Sequence, residues 1–303
     1  MNPEELKITI KQRKEEKELL KSMNYQSIDD IDDYIDIVKV KCHTEHKQSV
    51  IEELLKTRKY AIPIDYKKMN DNDIPVGASK SGGYPDLPPS MPYPTFNERT
   101  EIIPACTIIH SKDCIEKTEE KVIHYPESAM QLVAQLRLED IAKFDKDKLL
   151  PSSGILYFFW SGEIDPRCEN PIVKVIYYDG DLSLLQRTKP TIPYYKKYYT
   201  EPLDSFKLSF NEAKYEYNSE IVKEIGEKLG EAYDYYEDFE IHDSKLFGYT
   251  IGVNNNKYLP DNIINLFQYD YCEGCLHSIY WHIDINNLKK RNFDNIQFDY
   301  DLD

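Results

Sequence analysis

The sequence predicts an α+β protein whose duplicated, mainly antiparallel sheet units pack about a pseudo-twofold axis, with helices at the periphery. Three observations predict it. Two runs, Met130–Leu138 and Gly154–Trp160, have the aliphatic, β-branched and aromatic content of buried strands. Two segments, Glu45–Arg58 and Ser219–Leu229, carry apolar residues at helical spacing. And three landmarks recur in the same order: a Gly-Tyr turn, an apolar strand with an embedded glutamine, and an aromatic strand after a glycine.

Taken from the N-terminus, Pro3–Met23 carries Lys and Glu at nearly every third position with Leu6, Ile10, Leu19 and Leu20 as the apolar complement, which suits an exposed helix. With Glu45–Arg58, where Val50, Ile51, Leu54 and Leu55 form one stripe, it makes residues 1–59 an N-terminal helical extension. Tyr60–Tyr66 alternates as a strand, and Pro63, which lacks an N–H, predicts an edge or an end for it. Met69–Pro94 accumulates Gly, Pro, Asn and Asp and is predicted to be a long loop of tight turns. Glu101–His110 is a strand candidate and Lys112–Glu127 a charged excursion. Glu139–Phe144 fits a short helix or turn between the two core runs. Ile172–Tyr178 and the alternating Phe206–Phe210 are predicted strands. In Ser219–Leu229, Ser219 caps the helix and Gly230 ends it.

The chain has 303 residues, enough for a large core without disulfide staples. Its formal net charge of -16 argues against a phosphate-backbone binder, which needs clustered Lys and Arg, so no nucleic acid is expected. The same charge favours a basic protein partner. No apolar run approaches the ~20 residues that cross a bilayer, so no membrane association and a cytoplasmic location are expected. Cys42, Cys106, Cys114, Cys168, Cys272 and Cys275 are scattered, as free thiols in a reducing compartment would be.

The first landmark set is Ser81-Gly-Gly-Tyr-Pro85, Leu132-Val-Ala-Gln-Leu136 and Gly154–Trp160. The second is Leu246-Phe-Gly-Tyr-Thr250, Leu266-Phe-Gln-Tyr269 and Gly274–Trp281. They define two internal repeats, about 60–160 and 203–303, within one domain over 60–303. One such unit leaves a sheet face uncovered, and a second copy would cover it.

At these residues, with Gly77–Pro88 and the tail Asp284–Asn295 added, the chain resembles the YwqG-like bacterial family, a domain of unknown function. The resemblance runs from about Tyr60 to the C-terminal end. It implies a compact α+β domain, a cytosolic location and no settled chemistry, in a family discussed alongside bacterial toxin and immunity systems. The family's Trp-Gly-Asp-like step before the last strand is here Cys272-Glu-Gly274.

Catalytic signatures are sparse. Gly77-Ala-Ser-Lys-Ser-Gly-Gly83 has the glycine spacing of a phosphate loop, but Gly83 and Tyr84 stand where Lys and Ser/Thr are required. What remains is a glycine turn to which Lys80 adds a positive charge. Cys272-Glu-Gly-Cys275 near His277 and His282 is half a zinc site with no second pair, and no metal or other cofactor is assigned. Cys42, His43 and His46 fit a helix start. No Gly-x-Ser-x-Gly elbow or His-Glu-x-x-His helix occurs, and no catalytic residue is assigned.

The glutamines give the most pointed expectation. Alternation puts Val133, Gln135 and Arg137 on one strand face, and Leu266, Gln268 and Asp270 on the matching face. Gln135 and Gln268 would then meet near the axis, bonding each other or nearby backbone, with Arg137 and Asp270 paired or lining a cleft. The candidate ligand-binding residues are therefore Lys80, Tyr84, Gln135, Arg137, Tyr249, Gln268 and Asp270. The first functional reading is a cytosolic binding or protein-interaction module, such as an immunity-type inhibitor of a basic partner. The alternative is a hydrolase or transferase with a polar cleft at the repeat junction, Arg137 orienting an anion and Asp270 acting as base.

Overall fold

The computed structural model describes residues 58–103, 105–111, 114–161, 172–195, 201–216, 244–250, 259–273 and 276–302. The expected helices at Glu45–Arg58 and Ser219–Leu229 lie outside these residues, save Arg58. So does the N-terminal extension, save Arg58 and Lys59.

The described chain is mostly antiparallel β, which corrects the α+β expectation. An eleven-stranded sheet dominates it. Its strands are β1 (Lys59–Lys68), β2 (Lys80–Ser81), β3 (Gln131–Arg137), β4 (Ile155–Trp160), β5 (Val173–Tyr178), β6 (Phe206–Phe210), β7 (Lys214–Glu216), β8 (Lys245–Phe247), β9 (Ile263–Glu273), β10 (Leu276–Asp284) and β11 (Ile296–Leu302). Their order is β5-β4-β3-β2-β6-β1-β8-β9-β10-β11, with β7 beside β1. The only α-helices among the described residues are short, α1 (Leu138–Ile141) and α2 (Ile285–Lys289). Each directly follows a strand and puts its buried apolar residues, Leu138 and Ile141 in α1 and Leu288 in α2, into the core. Covering is done by curvature: the sheet coils into a nearly closed barrel, and the Tyr177 and Phe293 rings, 6.0 Å apart, meet where its two edges approach.

Inside, rings from both halves interlock. Phe158 of β4 lies 4.7 Å from Phe267 of β9 and 5.4 Å from Trp281 of β10. Outside, the loops over β3 and β4 bring Leu87, Phe96, Ile123, Tyr125 and Leu185 against Leu132, Tyr157 and Phe159. Strand β4 is therefore buried on both faces, which accounts for the unbroken apolar run Ile155–Trp160. Each fully buried aromatic of this kind contributes about 2–3 kcal/mol of transfer free energy.

The pairing registers of the two halves correspond. Gln135 opposes Lys80 and Tyr157, and Gln268 opposes Lys245 and Tyr280. A bulge interrupts β3–β4 between Leu132 and Ala134, and β9–β10 between Asn265 and Phe267. At the centre β1 pairs with β6, Ile64 opposing Phe210, Asp65 opposing Ser209 and Tyr66 opposing Leu208. The Ser79 carbonyl accepts from Leu208 N–H and the Ser244 carbonyl from Ile64 N–H, each at 3.0 Å. The first strand of each half thus pairs with the second strand of the other: β1 with β8, and β6 with β2.

Several local expectations need correction. Strand β1 is central, not an edge. Pro63 is tolerated because it falls in the gap between the β7 ladder, which ends at Ala61, and the β6 ladder, which starts at Ile64. The loop Met69–Pro94 contributes the central strand β2. The charged excursion is part of a β-ribbon, in which Arg99–Ile103 pairs with Lys121–Tyr125 and Cys106–Ser111 with Cys114–Thr118. Cross-strand pairing outweighed the charge pattern there.

Candidate functional site

The sequence Ser-Lys-x-x-Gly-Tyr occurs at Ser79–Tyr84 and at Ser244–Tyr249, and both copies build the same clamp. In each, the chain leaves a short central strand through two consecutive left-handed residues, Gly82 and Gly83 with φ of 64° and 66°, and Phe247 and Gly248 with φ of 64° and 72°. The turn wraps a carboxylate. Asp71 accepts from the Lys80 ammonium at 2.6 Å and from Tyr84 N–H at 3.0 Å. Glu216 accepts from the Lys245 ammonium at 2.6 Å and from Tyr249 N–H at 2.6 Å. A Cβ on Gly83 would stand 2.3 Å from Asp71 Oδ1, and one on Gly248 2.0 Å from Glu216 Oε2, so both positions require glycine. The serines repeat too: Ser79 Oγ accepts from Arg137 N–H at 2.9 Å and Ser244 Oγ from Asp270 N–H at 2.6 Å. A lysine stands over each tyrosine ring, Lys189 at 5.1 Å from Tyr84 and Lys59 at 4.6 Å from Tyr249.

The first clamp extends into a wider network. Buried Asp86 accepts from Gln135 Nε2 at 2.7 Å, Gly77 N–H at 2.8 Å and Arg187 Nε at 2.7 Å. Gln135 also donates to the Ala78 carbonyl at 2.8 Å and accepts from Asp86 N–H at 2.9 Å. Arg187 further donates to the Asp71 and Ile74 carbonyls and lies 3.1 Å from Asp71 Oδ1. Two cations and two carboxylates thus neutralise one another, Lys80 and Asp86 fully buried and Asp71 and Arg187 mostly so, the condition under which buried charge is tolerated. Burial pulls the Lys80 ammonium below its usual value, and Asp71 opposes that shift. Nearby, Tyr93 and Tyr194 share a hydroxyl contact at 3.0 Å, and burial raises both phenols, Tyr194 to about 12.

The seven expected residues divide between the two clamps and do not form one cleft. Lys80, Tyr84, Gln135 and Arg137 belong to the first; Tyr249, Gln268 and Asp270 belong to the second. Four strands separate the glutamine-bearing β3 and β9 along the sheet, and Gln135 spends its amide on Asp86 and Ala78. The expected pairing of Arg137 with Asp270 is replaced by an ion pair of Arg137 with Glu139 at 3.4 Å. Lys80 is fully buried and does not reach out as a surface charge. Of the thiol cluster, Gly274 and Cys275 lie outside the described residues, while His282 is buried with Nε2 3.0 Å from Thr250 Oγ1. No group of three or more potential metal-ligating side chains occurs among the described residues.

Sequence reasoning missed Asp71 and Asp86, two of the three aspartates in the loop that also holds Lys80, and Arg187 and Glu216, which join from separate strands. It also missed the serines. For those the signal was present: in both copies the Gly-Tyr is preceded, across two intervening residues, by an identical Ser-Lys.

The surface carries a different feature. Four large hydrophobic residues among those described are at least half exposed: Val76 at 51%, Ile102 at 64%, Val122 at 50% and Leu184 at 55%. They fall into two pairs. Ile102 and Val122 are register partners on the ribbon Arg99–Tyr125, whose strands among the described residues pair only with each other. Ile123 and Tyr125 alternate inward to anchor it, and Thr100 Oγ1 contacts His124 Nδ1 at 2.9 Å on the outer face. Val76 and Leu184 adjoin the contact of Gly77 with Leu185, on the two loops that Arg187 fastens together.

Against known families, a model described as a domain of unknown function (DUF1963) matches residues 79–301, beginning at the serine of the first clamp. No curated protein matches the chain. No helix among the described residues is long and apolar enough to cross a membrane.

Proposed function

The chain belongs to the DUF1963 family, a domain of unknown function, and from that membership and the geometry above we propose that it is a protein-binding module rather than an enzyme. Its contact element is the ribbon Arg99–Tyr125. One observation carries this reading: Ile102 and Val122 stand opposite each other at 64% and 50% exposure on a ribbon that pairs with no further strand among the described residues. Exposed apolar side chains on an unpaired ribbon cost solubility, which an interface would offset. The buried polar centres support the same reading, since their charges are spent on one another and on backbone. The enzymatic alternative needs Arg137 and Asp270 in one cleft, and four strands of the sheet lie between theirs. A YwqG-like placement within the family, a cytoplasmic location and a basic protein partner are part of the proposal.

The test is site-specific photo-crosslinking in cells from a crosslinker placed at position 102, at position 122, or at exposed Ser209 on the central strand pair. The reading expects a protein adduct from the two ribbon positions and none from Ser209. Equal adducts from all three, or none from the ribbon, would overturn it.

A further inference from the structure

Of the two exposed apolar pairs, the one on the loops has a chemistry of its own. Segments 71–78 and 179–186 contain four aspartates and no lysine or arginine. Asp71 is neutralised by Lys80 and Arg187, which leaves Asp73, Asp179 and Asp181 exposed at the surface. Arg187 holds the two segments through the Asp71 and Ile74 carbonyls, while Arg187 and Gln186 pair with Asp86 and Leu87 behind them. Leu185 is buried against the layer outside β3 and β4, so the loops rest on a packed base. Val76 and Leu184 face solvent at 51% and 55%. The two loops are fastened together, each carries one exposed apolar residue, and the exposed charged residues of segments 71–78 and 179–186 are all carboxylates.

We propose that this loop surface, Val76 and Leu184 with Asp73, Asp179 and Asp181 on the same two loops, docks a lysine- or arginine-bearing segment of a protein partner that also presents apolar side chains. The apolar pair supplies area to be desolvated. The carboxylates select a cationic flank and speed its approach in a chain whose formal charge is already -16. An acidic apolar segment is rejected by the same three charges. The assignment does not depend on the ribbon being a contact element, because the two apolar pairs lie on different segments.

The experiment uses the full chain and a short synthetic peptide of alternating leucine and lysine as probe, followed by fluorescence anisotropy at low and physiological salt. Leucine–glutamate peptide is the control and is expected not to bind. Val76→Ser with Leu184→Ser should weaken binding by about tenfold with unchanged melting, since both side chains are exposed. Asp73→Asn with Asp181→Asn should weaken it roughly threefold per carboxylate and flatten the salt dependence. Asparagine at position 181 keeps the acceptor for Ser183 N–H, so the local turn survives. Glu212→Gln with Asp294→Asn, which removes the same charge from exposed positions elsewhere, should change nothing. Unchanged affinity in the serine variant, or equal losses in the two charge variants, would mean diffuse attraction to an acidic protein and would overturn the assignment. If the crosslinks at positions 102 and 122 fail, this outcome is untouched, so the two readings fall separately.

Discussion

The Glu216 carboxylate lies 2.6 Å from the Lys245 ammonium with neither side chain exposed to solvent, in the position that Asp71 and Lys80 occupy in the other half. Removing one member of such a pair strands a buried charge. Lys245→Met should therefore cost about 3–5 kcal/mol in urea unfolding. Adding Glu216→Gln, which keeps an acceptor for Tyr249 N–H, should recover more than half of the loss. A neutral single variant would show that the clamp does not hold the strand.

Glycine substitutions should rank by what a Cβ would strike. Gly83→Ala and Gly248→Ala meet the clamped carboxylates at 2.3 and 2.0 Å with positive φ, and each should cost about 2–4 kcal/mol. Gly77→Ala also has positive φ but meets only the flexible end of Leu185 at 3.3 Å, and should cost about 1 kcal/mol. Thermal melting of the three variants checks the order.

His282 makes stability fall in mild acid. Burial lowers its imidazole from 6.5 to about 4, so between those values the unfolded chain binds a proton that the folded chain refuses. Stability is then fully present above pH 6.5, declines as pH drops through the window, and levels off below about 4. The contribution is about 3 kcal/mol at its full extent. His282→Gln should flatten the unfolding free energy over that range; an unchanged slope would assign the acid sensitivity elsewhere.

The parts of this fold legible in the sequence were those fixed by short stretches. Strand content at Gln131–Arg137, Ile155–Trp160 and Phe206–Phe210 could be read directly, as could the paired Gly-Tyr turns. The landmarks named the aromatic strands without aligning their residues; in the register Tyr157 and Tyr280 oppose the glutamines, which makes Phe158 the counterpart of Trp281. The expected meeting of Gln135 and Gln268 failed. Alternation fixes which face a side chain takes, but the number of strands between two segments is set by long-range pairing. The carboxylates of the clamps carried no signal in their spacing: Glu216 comes from another strand, and Asp71, in the same loop as Lys80, looks like any other loop aspartate until the turn folds it onto the buried lysine.

The central claim is that the buried clamps keep the shape and the exposed ribbon makes the contact. Affinity capture of the cellular partner by Ile102→Glu with Val122→Glu, with melting recorded on the same sample, tests it most directly. The account predicts a melting temperature within about 2 °C of the native chain and loss of capture. Retained capture by this folded variant would contradict it.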